Sequence, residues 1–115
     1  MKLDVIELHV NNWHKSLDWW VNKLGLKIIV QEDDHKFALL LGTGGAMVGL
    51  YGGKPTSKQR FVPHFKVVNL EETVEKLKHN AIHVDTIEIR HWGKQAKVTD
   101  PEENIFYLYQ EERGF

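Results

Sequence analysis

Four polar residues on two short apolar strands carry most of the chemistry this chain offers. Glu7 and His9 alternate with Ile6, Leu8 and Val10, and His64 and Lys66 alternate with Phe65 and Val67. Strand side chains point to opposite faces in turn, so Val5, Glu7 and His9 share one face, and Val62, His64 and Lys66 share another. A carboxylate and imidazoles placed this way can orient a polar ligand, or Glu7 with a histidine can serve as acid and base. The competing interpretation is a solvated strand face, with His9 and Lys66 wet near the strand ends. Trp92, Tyr107, Tyr109 and Tyr51 add rings suited to stacking on a flat ligand or covering a cation. The candidate cleft residues are therefore Glu7, His9, His64, Lys66, Trp92, Tyr107 and Tyr109. Trp92 stands first among the aromatics because it occupies a loop leading into the last hairpin.

Other chemistry finds little support. Gly42-Thr43-Gly44-Gly45 lacks the Gly-Lys-Ser/Thr ending of a phosphate loop and precedes no helical pattern, so it reads as a hairpin turn. His14, His35, His79 and His83 are scattered without metal-type spacing. There is no His-Glu-x-x-His and no Gly-x-Ser-x-Gly, and Ser16 and Ser57 have no evident base beside them. Hydrolase chemistry is unsupported.

The elements that must hold these residues occur twice. Leu3 to Val10 reads as a strand. Asn11 or Asn12 then caps a helix whose buried stripe is Leu17, Trp20, Val21 and Leu24, ended by Gly25. Trp13 reads as a staple at the helix start, Trp20 as core, and Trp19 as half-buried beside it. Leu26–Val30, Phe37–Leu41 and Ala46–Tyr51 are three strands joined by turns. The second half follows the same order. Phe61 to Val67 is a strand, and Asn69-Leu70-Glu71-Glu72 approaches a capping box. Leu70, Val74, Leu77 and Ala81 form the helix's buried stripe. Ile82–Arg90, Gln95–Thr99 and Asn104–Tyr109 complete the strands. The register is tight: Leu8 and Val10 match Phe65 and Val67, and Asn12-Trp13 matches Asn69-Leu70.

The chain is thus α+β, two tandem βαβββ modules forming a curved mixed sheet around a cleft, with helices on the outer face. Residues 1–53 make the first module, 54–60 a linker and 61–115 the second, all within one domain of 115 residues. Half a chain of this size cannot bury a core alone, so the copies must close on each other or on a second chain. An apolar fraction of 42% and a charged fraction of 27% suit a soluble globular protein. The net charge of −1 and the lack of a basic stripe argue against a nucleic-acid partner. Cysteine is absent, which excludes disulfides, thiolate metal sites and a cysteine nucleophile. The expected setting is cytoplasmic, with no signal peptide and no membrane span.

Several stretches resemble the vicinal oxygen chelate superfamily, which includes glyoxalase I, bleomycin-resistance proteins and extradiol dioxygenases. Ser16-Leu17-Asp18-Trp19-Trp20 followed by Leu24-Gly25-Leu26 is similar to that family's first helix. Trp92-Gly93-Lys94 and Asp100-Pro101-Glu102-Glu103-Asn104 are similar to its last hairpin. The resemblance covers essentially the whole chain. It implies, for metal-dependent members, a ligand opening the first strand of each half and a carboxylate on a last strand. Those positions fall on Val5, Val62 and Tyr107 here, and Ala46–Tyr51 contains no acidic residue. Valine binds no cation and a neutral phenol is a poor ligand, so the usual metal site is lost and no cofactor is expected. Glu103 also stands where the family commonly has glycine, which predicts a strained turn.

The leading expectation is a metal-free small-molecule-binding protein of the bleomycin-resistance type, sequestering an antibiotic or metabolite as a homodimer. One alternative is a lyase, isomerase or dioxygenase with a displaced metal site using Glu7 and His64, or with metal-free acid–base chemistry at those residues. Another is a regulatory or interaction domain.

Overall fold

The computed structural model describes residues 1–42, 45–54, 58–101 and 103–113. The centre of the expected linker (55–57) and parts of two expected turns (43–44 and 102) lie outside the described residues. The fold is α+β with mixed sheet pairing. Two compact units divide the chain: Val5–Val62, and Met1–Asp4 together with Pro63–Phe115. Among the described residues no helix is long and apolar enough to cross a membrane.

In the Val5–Val62 unit, β1 (Lys2–His9, from Val5 onward) leads into α1 (Trp13–Asp18), then β2 (Lys27–Glu32), β3 (Phe37–Leu41) and β4 (Met47–Tyr51). The strand order is β2-β3-β4-β1, and β1 runs parallel to β4 with Glu7 opposite Gly49. Asn12 caps α1, its side chain accepting from the Lys15 amide at 3.2 Å. Val10, Trp13, Leu17, Ala38, Leu40 and Leu50 form the core, with Leu8, Trp20 and Val21 packed against it.

Two expectations fail here for one geometric reason. After Asp18 the chain winds as a π turn over Trp19–Lys23, with the Leu24 amide donating to the Trp19 carbonyl at 3.0 Å. A π turn holds more residues than an α turn, so the 3.6-residue stripe loses phase. Leu24, expected in the core, is 52% exposed. Trp20, expected as core, is only partly covered, while Trp13, expected as a staple at the helix start, is the buried tryptophan. Gly52 allows this: a Cβ there would lie 2.6 Å from the Trp13 Cβ.

In the other unit, β5 (Phe61–Lys66, from Pro63 onward) precedes α2 (Leu70–His79), β6 (Glu88–Arg90), β7 (Gly93–Thr99) and β8 (Ile105–Glu111). The order is β5-β8-β7-β6. Strands β5 and β8 run parallel, with His64 opposite Tyr107 and Lys66 opposite Tyr109. Asn69 repeats the cap, accepting from the Glu72 amide at 3.1 Å, while the Glu72 carboxylate meets Lys76 at 3.3 Å. The Gln110 side-chain oxygen accepts from the Leu70 amide at 2.9 Å and ties α2 to β8. Val67, Leu70, Val74, Val84, Ala96, Val98 and Leu108 make the core.

Two further expectations are corrected in this unit. Ala81 is exposed, with φ 61°, because the chain turns left-handed after Asn80 and the Ile82 amide closes back on the Leu77 carbonyl at 3.0 Å. The strand expected over 82–90 survives only as β6 and a single bridge from Val84 to Val98. The Asp85 amide still donates to the Lys97 carbonyl at 2.9 Å beside that bridge, and regular pairing resumes only at Glu88 opposite Gln95.

Candidate functional site

The second unit gathers most of the candidate residues around Tyr109. Parallel pairing of β5 with β8 sets His64 beside Tyr107, and their rings stack with centroids 5.1 Å apart and planes 18° from parallel. Tyr109 meets His64 edge-on at 6.2 Å and Trp92 edge-on at 5.8 Å. Tyr107 and Tyr109 are buried, whereas His64 and Trp92 keep part of their surface accessible. Lys66 lies opposite Tyr109 in the strand register.

Trp92 is placed by the β6–β7 turn. Gly93 takes φ 154°, and a Cβ there would stand 2.2 Å from the Gln110 carbonyl oxygen, so only glycine fits the close approach to β8. The Glu112 amide donates to the Trp92 carbonyl at 2.9 Å and fixes the turn.

Asp4 joins this group, which strand parity did not indicate. The Tyr109 hydroxyl donates to its carboxylate, and Lys2 Nζ approaches the other oxygen at 3.3 Å. Parity groups Asp4 with Ile6 and Leu8, and the contact spans 105 residues of sequence, so no local pattern announces it. Glu111 is the other omission, and it was findable: it follows Tyr109 by two residues and therefore shares its face. Arg113 holds it with a two-pronged contact, Nε to Oε1 at 2.9 Å and Nη2 to Oε2 at 3.2 Å.

Burial sets the electrostatics. It pushes the His64 imidazole down to about 4, so the ring stacked on Tyr107 is neutral at physiological pH. It raises the Tyr109 phenol well above its ordinary value, and the bond to Asp4 adds to the effect. Tyr109 is therefore a hydrogen-bond donor and not a phenolate.

Glu7 and His9 belong to the other unit. Glu7 faces Gly49 across the β1–β4 pair, and a Cβ on Gly49 would sit 3.3 Å from Val5 and 3.2 Å from the Phe37 ring. In these surroundings burial lifts the Glu7 carboxyl from 4.5 to about 7. Such a group exchanges a proton readily near neutrality. His9 has another task. Its Nε2 donates to the Gly53 carbonyl at 2.7 Å and its ring meets Tyr51 edge-on, which braces the chain after β4.

The positions where the resemblance places metal ligands do not fit a metal. Val5 packs against the Gly49 backbone, Val62 is buried, and the Tyr107 ring is engaged in the stack with His64. An apolar pair and a stacked phenol offer no ligand set for a divalent cation.

Known proteins place this geometry in context. The chain is 25% identical, over 96% of its length and 98% of the relative's, to the uncharacterized protein YraH of Bacillus subtilis (strain 168). Among solved structures it is similar to a protein described as NAD-dependent benzaldehyde dehydrogenase from Legionella pneumophila. The TM-score is 0.79 at 18% identity, covering 94% of this chain and 98% of that one. It is also similar to methylmalonyl-CoA epimerase from Mycobacterium tuberculosis, with TM-score 0.74 at 16% identity, covering 96% and 88% of the two chains. At these identities the likenesses establish the fold. The model of the Glyoxalase/Bleomycin resistance protein/Dioxygenase superfamily matches residues 2–108, and the chain belongs to that superfamily.

Proposed function

We propose that this protein binds a small organic molecule without a metal, as a cytoplasmic homodimer, and that it holds the ligand without transforming it. The observation that carries this reading is the ring cluster of His64, Tyr107, Tyr109 and Trp92, in which the imidazole is neutral and the phenol of Tyr109 is tied to Asp4. Rigid rings with a few fixed polar atoms are what a site for a flat ligand needs. Trp92 and His64, each partly accessible, offer the ligand their rings, with Lys66 as a polar anchor on the same unit. The test is a ligand screen by thermal shift, with the metal content of untagged protein measured in parallel. Ligands that stabilise the wild type and not His64→Ala, in a preparation free of stoichiometric metal, support the reading. A stoichiometric metal lost on Glu7→Gln overturns its metal-free part.

One observation favours a second reading. A Glu7 carboxyl near 7 is poised to take up or release a proton, which suits a metal-free isomerase or lyase. A pH–rate profile on an identified substrate would then show an essential group near 7 that vanishes in Glu7→Gln.

A further inference from the structure

Two buried carboxylates flank Tyr109 in sequence or contact, and they are neutralised differently. Glu111, 6% exposed at its side chain, is gripped by the planar fork of Arg113. Asp4, 7% exposed, is neutralised by the ammonium of Lys2, whose own side chain is 75% exposed. An Arg–carboxylate fork is directional and strong, whereas a single ammonium on a flexible, solvated stem contributes little and exchanges easily. A buried carboxylate still requires a cation beside it. Asp4 is therefore the carboxylate whose counter-ion is replaceable. Beyond Asp4 the Tyr109 ring stands nearly perpendicular to Trp92, at 83°, and to His64, at 67°. Crossed rings beside a carboxylate suit a ligand with a cationic end and an aromatic body.

We propose that Asp4, Tyr109 and Trp92 form a subsite for a protonated amine carried on an aromatic ring, with Lys2 acting as the chain's own competitor for Asp4. The inference rests on the small-molecule-binding reading and specifies its ligand class. Asp4 accepts the ammonium in place of Lys2, Tyr109 holds the carboxylate in position through its hydroxyl, and the Trp92 face covers the ligand's ring. Ligands with a carboxylate at that end are rejected, because Asp4 would repel them. No bond is made or broken.

The probe is benzylamine, with benzyl alcohol as an uncharged ligand of nearly the same shape. Binding is followed by calorimetry and by the Trp92 indole N–H resonance. Wild-type protein is expected to bind benzylamine about tenfold or more tightly than benzyl alcohol, the size of a charge-assisted hydrogen bond. Lys2→Ala should tighten benzylamine severalfold by removing the competitor, and Asp4→Asn should abolish the preference. If Asp4→Asn does not fold, Lys2→Ala decides alone, since unchanged or weaker binding in that variant overturns the proposal. Equal binding of the two probes overturns the amine class and leaves small-molecule binding intact. No shift of the Trp92 resonance with either probe overturns this subsite, while the ligand screen decides small-molecule binding separately.

Discussion

The imidazole of His64 lies flat against the Tyr107 phenol, at 5.1 Å and 18° from parallel. A ring covered on one face and largely buried cannot easily carry charge, and the His64 pKa falls from 6.5 to about 4. The folded protein thus keeps His64 neutral while the unfolded chain protonates it below about 6.5. Protons bound preferentially by the unfolded state destabilise the fold, so His64 removes stability as pH falls from 6.5 to 4. The loss is on the order of 3 kcal/mol. Urea unfolding of His64→Phe at pH 7 and pH 4 should show this component gone.

Glu7 carries the opposite sign. Its folded pKa of about 7 lies above the unfolded 4.5, so the folded state holds a proton that the unfolded state has released. Stability from this group is present below 4.5 and falls as pH rises to 7, again by on the order of 3 kcal/mol. Glu7→Gln should therefore stabilise the protein at pH 8 and change little at pH 4. Between pH 4.5 and 6.5 the Glu7 and His64 effects oppose each other. The wild-type stability profile should be flat there, and each single variant should tilt it in its own direction.

Tyr109→Phe tests the link to Asp4. The ring packing is retained, but the buried carboxylate loses the hydroxyl that donates to it. Leaving a buried acceptor short of a donor costs about 1–3 kcal/mol. The denaturation midpoint should drop accordingly, with an unchanged slope.

Glu103 gives a prediction of the opposite kind. Its φ of 68° lies in the left-handed region that glycine occupies freely, and its side chain is exposed. Glu103→Gly relieves this strain, partly offset by greater freedom of the unfolded chain, and should stabilise by about 0.5–1 kcal/mol. Calorimetric melting temperature reads the sign directly. A lower melting temperature would show that the turn before β8 is not strained.

Much of the architecture was legible because it rests on local rules. The two asparagine caps, Gly25 after the first helix, and the alternation of Glu7 and His64 with apolar neighbours all follow from short-range sterics and periodicity. The strained Glu103 was visible only through the resemblance, which places glycine at that position. Trp20 and Leu24 were misjudged because a π turn is not encoded by any residue pattern and shifts the phase of the residues within and after it. The strand over 82–90 was overextended because alternation continues past Asp85, whereas regular pairing resumes only at Glu88. Asp4 escaped notice because its partner is 105 residues away, and only the assembled chain brings a carboxylate at one end to a phenol at the other.

The distribution of tryptophans between the units has a spectroscopic consequence. Trp13, Trp19 and Trp20 all belong to Val5–Val62, and Trp92 belongs to the other unit. Replacing the first three by phenylalanine leaves a chain whose tryptophan emission reports on one unit alone, and the Trp92→Phe chain reports on its counterpart. Coincident melting curves from the two would mean that the repeated halves unfold as one cooperative block. Separated curves would mean that each half is its own unit of stability.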